Sequence, residues 1–322
     1  MCILLLDELF SARDASLWNS VRDLHELVVI EDPSFDLERV PKRDTVEVVA
    51  LSSTFFGWRM PVSMLDLFPR AKGLCISGGW HEHIDLGSCQ RRGITVTCVP
   101  DFASLASAEW CLMVTLMLAR RVPLLQQNPL LAPPLSAGRE LAGKRAGIVG
   151  MGGVGREIAR LATAVGMECV YWSRKSRNKL YEYSELEEVL KTSDCVFLTF
   201  YEARNMAGFI GREKLTLLKS SAILVSGLGS QPGLKSECVD WPTAIEMVQR
   251  GDLGGLAIEA GEGESVPSVK GNVYVAPGHT GWCTTESIRR GTIIWIKNVL
   301  GIYDSTSPNV LNKAAGDVTE GH

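Results

Sequence analysis

The 322-residue chain lacks the marks of several large protein classes. Its nine cysteines are odd in number and contain no C-x-x-C pair, and most sit in apolar runs such as DCVFL and VTCVP. That excludes a disulfide framework or a zinc finger and reads as buried free thiols. There is no excess of positive charge. Lys and Arg total 33 against 37 Asp and Glu, for a net charge of -4, so neither nucleic acid nor an anionic membrane is the expected partner. No apolar run approaches the roughly 20 residues that span a bilayer. The most apolar stretch, WCLMVTLML at 110–118, reads as a buried helix, and the opening MCILLLD has neither the basic region nor the cleavage site of a secretory leader. A reducing cytoplasm is the expected location.

What is present is ordinary globular composition, 46% hydrophobic and 22% charged. The length exceeds what one hydrophobic core usually fills, so two domains are expected. Strand-like runs at 2–6, 27–30, 46–51, 73–77 and 95–99 alternate with helical pieces, among them 14–27, where Leu17, Val21, Leu24 and Leu27 recur at helical spacing. A second series places strands at 145–149, 168–172, 195–199, 222–226, 256–259 and 273–276. Strands rich in Val, Ile and Leu on both faces, separated by helices, predict α/β architecture with doubly wound parallel sheets. A long helix over 103–122, apolar all round near 110–118, reads as buried on every side, between domains or subunits. The last helix spans about 285–302.

The strand at 145–149 runs into Gly150-Met151-Gly152-Gly153-Val154-Gly155, a G-x-G-x-x-G that opens a helix with Val154, Ile158, Leu161 and Val165 on one face. The first glycine permits the tight turn, the second lets main chain approach a pyrophosphate, and the third lets helix pack on strand. A helix N-terminus adds free N–H groups and partial positive charge. The next strand ends in Trp172-Ser173-Arg174-Lys175-Ser176-Arg177. An NAD site usually has a carboxylate there for the ribose 2′-hydroxyl. Three cations and no carboxylate favour the 2′-phosphate of NADP(H) over NAD(H), with Ser173, Arg174 and Lys175 as candidate ligands.

Residues from about 70 to 300 resemble the D-2-hydroxyacid dehydrogenases, which include glyoxylate and hydroxypyruvate reductases. The segments that carry the resemblance are SGGWHEHIDL (77–86), RRGITVTCVPDFA (91–103), ASAEWCLMVTLMLARR (106–121), ELAGKRAGIVGMGGVG (140–155), SELEEVLKTSDCVFL (184–198) and GFIGREKLTLLKSSAILV (208–225). The resemblance implies two Rossmann- or flavodoxin-like domains with the active site in the cleft between them. The substrate domain would comprise 1–102 plus 300–322 and the cofactor domain 103–299. It also implies a homodimer built around the 103–122 helix, and catalysis by an arginine, a histidine and a glutamate.

The catalytic positions are altered. Ser226-Gly227-Leu228-Gly229 puts Leu228 where the family has its substrate-binding arginine, and leucine can neither pair with a carboxylate nor polarise a carbonyl. Glu264 falls at the glutamate, and Glu259 stands where an aspartate near the nicotinamide is usual. Pro277-Gly278-His279 leaves Gly278 at the histidine position and His279 one residue late. In the glycine-rich substrate loop, Trp80 follows Gly78 and Gly79 where a small residue is usual. Thr199-Phe200-Tyr201 replaces a His-x-Pro beside the cofactor. His279 and Glu264 are the expected catalytic pair, with Tyr201 and Glu109 as reserve proton donors. Gly79, Trp80 and Leu228 are expected to line the substrate pocket, and Thr199, Tyr201, Gly227 and Glu259 to flank the cofactor. His81 and His83 flank Glu82, but a third ligand at metal-binding spacing is missing, so no metal is expected.

Two functions follow. One is an NAD(P)H-dependent oxidoreductase acting on a carbonyl-type small molecule other than a standard 2-oxo acid. The other is a catalytically silent dinucleotide-binding dimer with a regulatory or redox-sensing role.

Overall fold

The computed structural model describes residues 1–312 apart from 58–59, 80, 82–83, 135, 201–205, 228–237, 261–268, 277 and 279. Their strands form two sheets. The first contains β1 (Cys2–Leu6), β2 (Glu26–Ile30), β3 (Val46–Leu51), β4 (Gly73–Ile76) and β5 (Thr95–Thr97) in the order β2-β1-β3-β4-β5. The second contains β6 (Arg145–Val149), β7 (Glu168–Trp172), β8 (Glu182–Tyr183), β9 (Cys195–Leu198), β10 (Ile223–Ser226), β11 (Gly255–Glu259) and β12 (Val273–Ala276), ordered β12-β11-β10-β9-β6-β7-β8. Every pairing is parallel. This is the α/β, doubly wound class that the alternating pattern predicts.

The chain divides into two compact units, Met1–Phe102 with Thr285–His322, and Ala103–Thr284. The return to the first unit therefore falls at Thr285, at the start of the final helix Thr285–Asp304 rather than near residue 300. The reason is packing. Trp295, midway along that helix, is 1% exposed, meets Trp18 edge-on at 5.2 Å, and donates its indole N–H to the Cys75 carbonyl at 2.8 Å. Buried Asn298 donates to the Cys98 carbonyl at 2.7 Å. Beyond the helix, Asn312 accepts from Val96 N and donates to the Ile94 carbonyl, pinning the chain along β5.

Alternation within the strands explains the two-sided cores. Ile3, Leu5, Val48 and Ala50 face the Trp18–Trp295 side, while Leu4, Leu6, Val49 and Leu51 face a second cluster with Phe68 and Ile84. In the second unit, Ile148, Tyr171, Phe197 and Val225 pack with Cys111, Val114 and Leu118 of the helix Ser104–Ala119, and Val149, Val196, Leu198 and Leu224 face the opposite cluster. A fully buried Leu or Ile contributes roughly 1.5–3 kcal/mol, so these ladders dominate the stability of each unit.

Two helical expectations change. The segment 14–27 is a 3-10 turn, Ala15–Trp18, then one helical turn, Asn19–Arg22. Val21 is fully buried but Leu24 is 70% exposed, so the apolar face that suggested a longer helix stops at Val21, and β2 begins at Glu26. The helix Ser104–Ala119 is not buried all round within the chain, because Met113 and Leu116 stay 44% and 43% exposed. A further helix, Val122–Gln127, follows it. No helix among the described residues is long and apolar enough to cross a membrane.

Candidate functional site

In the second sheet, strand order reverses between β6 and β9, and the G-x-G-x-x-G turn leaves β6 at that point. Ligands of open parallel sheets bind at the carboxyl ends of strands beside such a reversal. Gly150 has φ +111°, a conformation that favours glycine, and a Cβ there would fall 2.5 Å from Phe200 N. Its N–H donates to the Trp172 carbonyl at 2.8 Å. A Cβ on Gly155 would lie 2.0 Å from the Gly150 carbonyl oxygen, so the third glycine lets helix meet strand. Gly152 differs from both, because a Cβ there would meet nothing within 4 Å. The fold does not need that glycine for packing; the open space beside it suits a ligand.

Gly152 is the extended N-cap of the helix Gly153–Ala164 and supplies no capping side chain. The first-turn N–H groups of a helix have no intrahelical carbonyl to bond, and such an end attracts anions. Val154, one residue into the helix, is half-buried against the core and orients that first turn. An open glycine, an uncapped helix start and a close-packed turn together fit a dinucleotide pyrophosphate.

The rim beyond β7 is positive. Ser173 is buried, while Arg174 and Lys175 are exposed. Arg177, the third cation of the run, turns back on its own loop. It donates to the Ser173 carbonyl at 2.8 Å and the Ser176 carbonyl at 3.1 Å, and its guanidinium lies 4.4 Å from the Tyr183 ring centre. Its work is to shape the loop, which leaves Arg174 and Lys175 as the cations directed to solvent.

At the far side of the turn, Thr199 binds the two strand ends together. Its N–H donates to the Val149 carbonyl at 2.9 Å and its hydroxyl to the Gly150 carbonyl at 2.7 Å. Gly227 follows β10, where a Cβ would come 3.1 Å from Cys111 Sγ and 3.2 Å from Thr199 Cγ2. Gly150, Gly155, Thr199 and Gly227 therefore form one contact set around the strand reversal. Glu259, at the end of β11, turns elsewhere. Its Oε1 accepts from the backbone N–H of Thr280 at 2.9 Å and of Gly281 at 2.5 Å.

The first unit brings Gly78 and Gly79 to the carboxyl end of β4. A Cβ on Gly79 would meet the Val99 carbonyl oxygen at 3.4 Å. His81 Nδ1 lies 3.1 Å from the Gly79 carbonyl, so that ring nitrogen carries the proton. The sequence gives no sign of what surrounds this loop. Among the described residues Ser53 Oγ, which is buried, has no hydrogen-bond partner, and it stands 2.8 Å from where a Gly78 Cβ would be. Asp7 Oδ2 and Glu8 Oε2, just past β1, are likewise buried and have no hydrogen bond among the described residues, although Asp7 pairs with Arg13 at 3.5 Å. Burial, only partly offset by Arg13, holds the Asp7 carboxyl above its ordinary range. The switch-point rule applied to the order β2-β1-β3-β4-β5 was the signal that could have drawn attention to these residues.

Trp80, Tyr201, Leu228, Glu264 and His279 lie outside the described residues, as do Glu82 and His83. Glu109 is exposed on the helix Ser104–Ala119.

Residues 112–270 match the family model for the D-isomer specific 2-hydroxyacid dehydrogenase NAD binding domain. The glyoxylate reductase of Pyrococcus furiosus is 27% identical over 315 residues, covering 92% of this chain and 91% of that protein. Nearly half of the chain thus matches the D-isomer specific 2-hydroxyacid dehydrogenase model, and the likeness to glyoxylate reductases extends over most of its length. Another relative, the glyoxylate reductase of Aeropyrum pernix, is 27% identical over 279 residues, 79% of this chain and 80% of its own length. The crystal structure of the TT0316 protein from Thermus thermophilus superposes with a TM-score of 0.80 at 25% identity, over 97% of this chain and all (100%) of that one. A glyoxylate reductase from Paecilomyes thermophila shares the fold, with a TM-score of 0.80 at 20% identity and 97% of each chain covered. The stretch that matches the NAD binding domain includes the glycine turn of the second unit.

Proposed function

We propose that this chain is an NADP(H)-dependent member of its family whose substrate is a carbonyl compound, or the matching alcohol, without the carboxylate grip of an ordinary 2-oxo acid. The likeness to an NAD binding domain and to glyoxylate reductases supports an oxidoreductase of CH–OH or C=O groups that uses a nicotinamide dinucleotide. The observation that carries the reading is the open face of Gly152 at the strand reversal, between a turn that tolerates no side chain at Gly150 and a helix start without a cap. The preference for the 2′-phosphate rests on Arg174 and Lys175, both exposed just past β7 where an acidic residue would select NAD.

When bound, the nicotinamide supplies hydride chemistry. The protein must then hold a proton for the substrate oxygen, orient the group that carries it, and keep the substrate in place. His279 is the proposed proton carrier and Glu264 the carboxylate that orients it. Leu228 at the arginine position removes the cation that would grip a 2-oxo acid, and Trp80 and Gly79 are further proposed substrate contacts. Tyr201 completes the proposed cofactor rim. The silent, regulatory alternative is not favoured, since the relatives are named as reductases. A homodimer through the 103–122 region is supported by Met113 and Leu116, which leave apolar surface on that helix. Light scattering of the wild type and of Leu116→Lys tests it, a dimer that the charge splits being the expected result.

The deciding experiment follows NADPH consumption against glyoxylate, hydroxypyruvate and pyruvate beside aldehydes, ketones and imines that lack a carboxylate, with NADPH binding measured in parallel. Turnover greatest on the second group, and lost in His279→Ala, is expected. Best turnover on the 2-oxo acids would sink the substrate proposal. NADPH bound with no turnover on any compound would return the silent reading.

A further inference from the structure

We infer that Glu259 is a positioning residue whose reach, rather than its charge, fixes the backbone of residues 280–281 and so sets where the segment bearing His279 stands. The inference rests on the proposed role of His279, but the geometry that carries it does not. Glu259 pairs with Ala276 across the β11–β12 ladder, and Ala260 N donates to the Ala276 carbonyl at 2.9 Å. The chain leaves the sheet at Ala276 and comes back to the same glutamate. There the carboxylate Oε1 accepts from Thr280 N at 2.9 Å and from Gly281 N at 2.5 Å. One residue therefore holds both ends of the excursion, the first by its backbone register and the second by its side chain.

The close approach depends on glycine at 281. A Cβ on Gly281 would fall 3.0 Å from Glu259 Oε1 and 3.1 Å from the Trp110 ring, so glycine is what lets the backbone come so close. Gly278 supplies the turn, at φ +63°. Beyond it, Cys283 N donates to the Thr280 carbonyl at 3.0 Å and continues the bend. An aspartate at 259 would withdraw the carboxylate by about one C–C bond, roughly 1.5 Å. Both contacts would then exceed hydrogen-bond length. A glutamine keeps the same reach and an acceptor oxygen at the same place, with weaker bonds because the charge is gone.

This inverts the usual ranking of conservative substitutions and gives the test. Glu259→Gln and Glu259→Asp are compared for thermal stability, NADPH affinity, kcat and KM on the best substrate of the panel, and amide hydrogen exchange across 276–284. Expected is Gln within about threefold of wild-type kcat, and Asp down about tenfold or more in kcat with NADPH affinity within about twofold. The Thr280 and Gly281 amides should exchange about tenfold faster in Asp than in Gln. An active Asp variant beside an inactive Gln variant would overturn the inference, since charge would then be the property that counts. So would equal exchange in the two. If the wild type turns over no compound, the exchange measurement alone decides the clamp, and its outcome is separate from that of the proposed function.

Discussion

The carboxyl edges of the two sheets solve different problems with different materials. At the edge of the second sheet the recognising groups are backbone. Gly150 and Gly155 are glycine because neighbours leave no room, Gly152 is glycine although there is room, and Thr199 and Glu259 spend their acceptors and donors on main chain. At the edge of the first sheet the polar groups are side chains, and among the described residues Asp7, Glu8 and Ser53 keep buried oxygens without hydrogen bonds. Buried polar atoms are normally satisfied, so each such atom weakens the fold that carries it. A backbone cradle suits a ligand part that never varies, such as a pyrophosphate.

The sharpest way to separate the units is to unfold one. Trp295→Ala removes the keystone between the last helix and the first sheet, and about 3–5 kcal/mol of stability with it, read as a large fall in the denaturation midpoint. A loss below about 1 kcal/mol would show that the helix does not anchor that unit. Within the second unit, Gly155→Val should cost about 3 kcal/mol or more through overpacking against Gly150, whereas Gly152→Val should melt near the wild type yet lose NADPH binding about 100-fold or more. Equal melting losses at both glycines would erase the division between packing and ligand. Arg174→Ala is expected to weaken NADPH about tenfold and NADH hardly at all, by titration calorimetry; an equal effect on both would remove the 2′-phosphate argument.

The smallest effect belongs to the first edge. Because burial raises the Asp7 carboxyl, its contribution to stability is present below its ordinary carboxylate value and is lost as pH climbs through the raised value. Asp7→Asn should therefore gain up to about 1 kcal/mol at neutral pH, and the gain should vanish in acid. A loss at neutral pH would mean that the pairing with Arg13 outweighs the desolvation.

The strands were the most legible part of the fold. The runs at 2–6, 46–51, 168–172 and 273–276 coincide with β1, β3, β7 and β12, because strands buried on both faces write themselves as unbroken apolar runs. The 14–27 helix failed for the opposite reason, since regular spacing says nothing about whether Leu24 finds a core to face. The glycine turn was legible because its constraint is local. The Glu259 contacts were not, because they depend on where the chain returns after β12, and the orphaned Ser53 oxygen depends on three strand ends meeting. Arg177 counts in the positive run after β7, but its guanidinium folds onto its own loop, which no local pattern reveals.

Of the nine cysteines, Cys283 alone is exposed. The others are buried or half-buried, and burial pushes the Cys75 and Cys195 thiols up to about 12, far from the reactive thiolate at neutral pH. A maleimide dye should thus attach at one site on the unmodified protein, three residues past Thr280. Its fluorescence would follow the loop tethered by Glu259 while substrate and cofactor are added, with no cysteine engineered in or out.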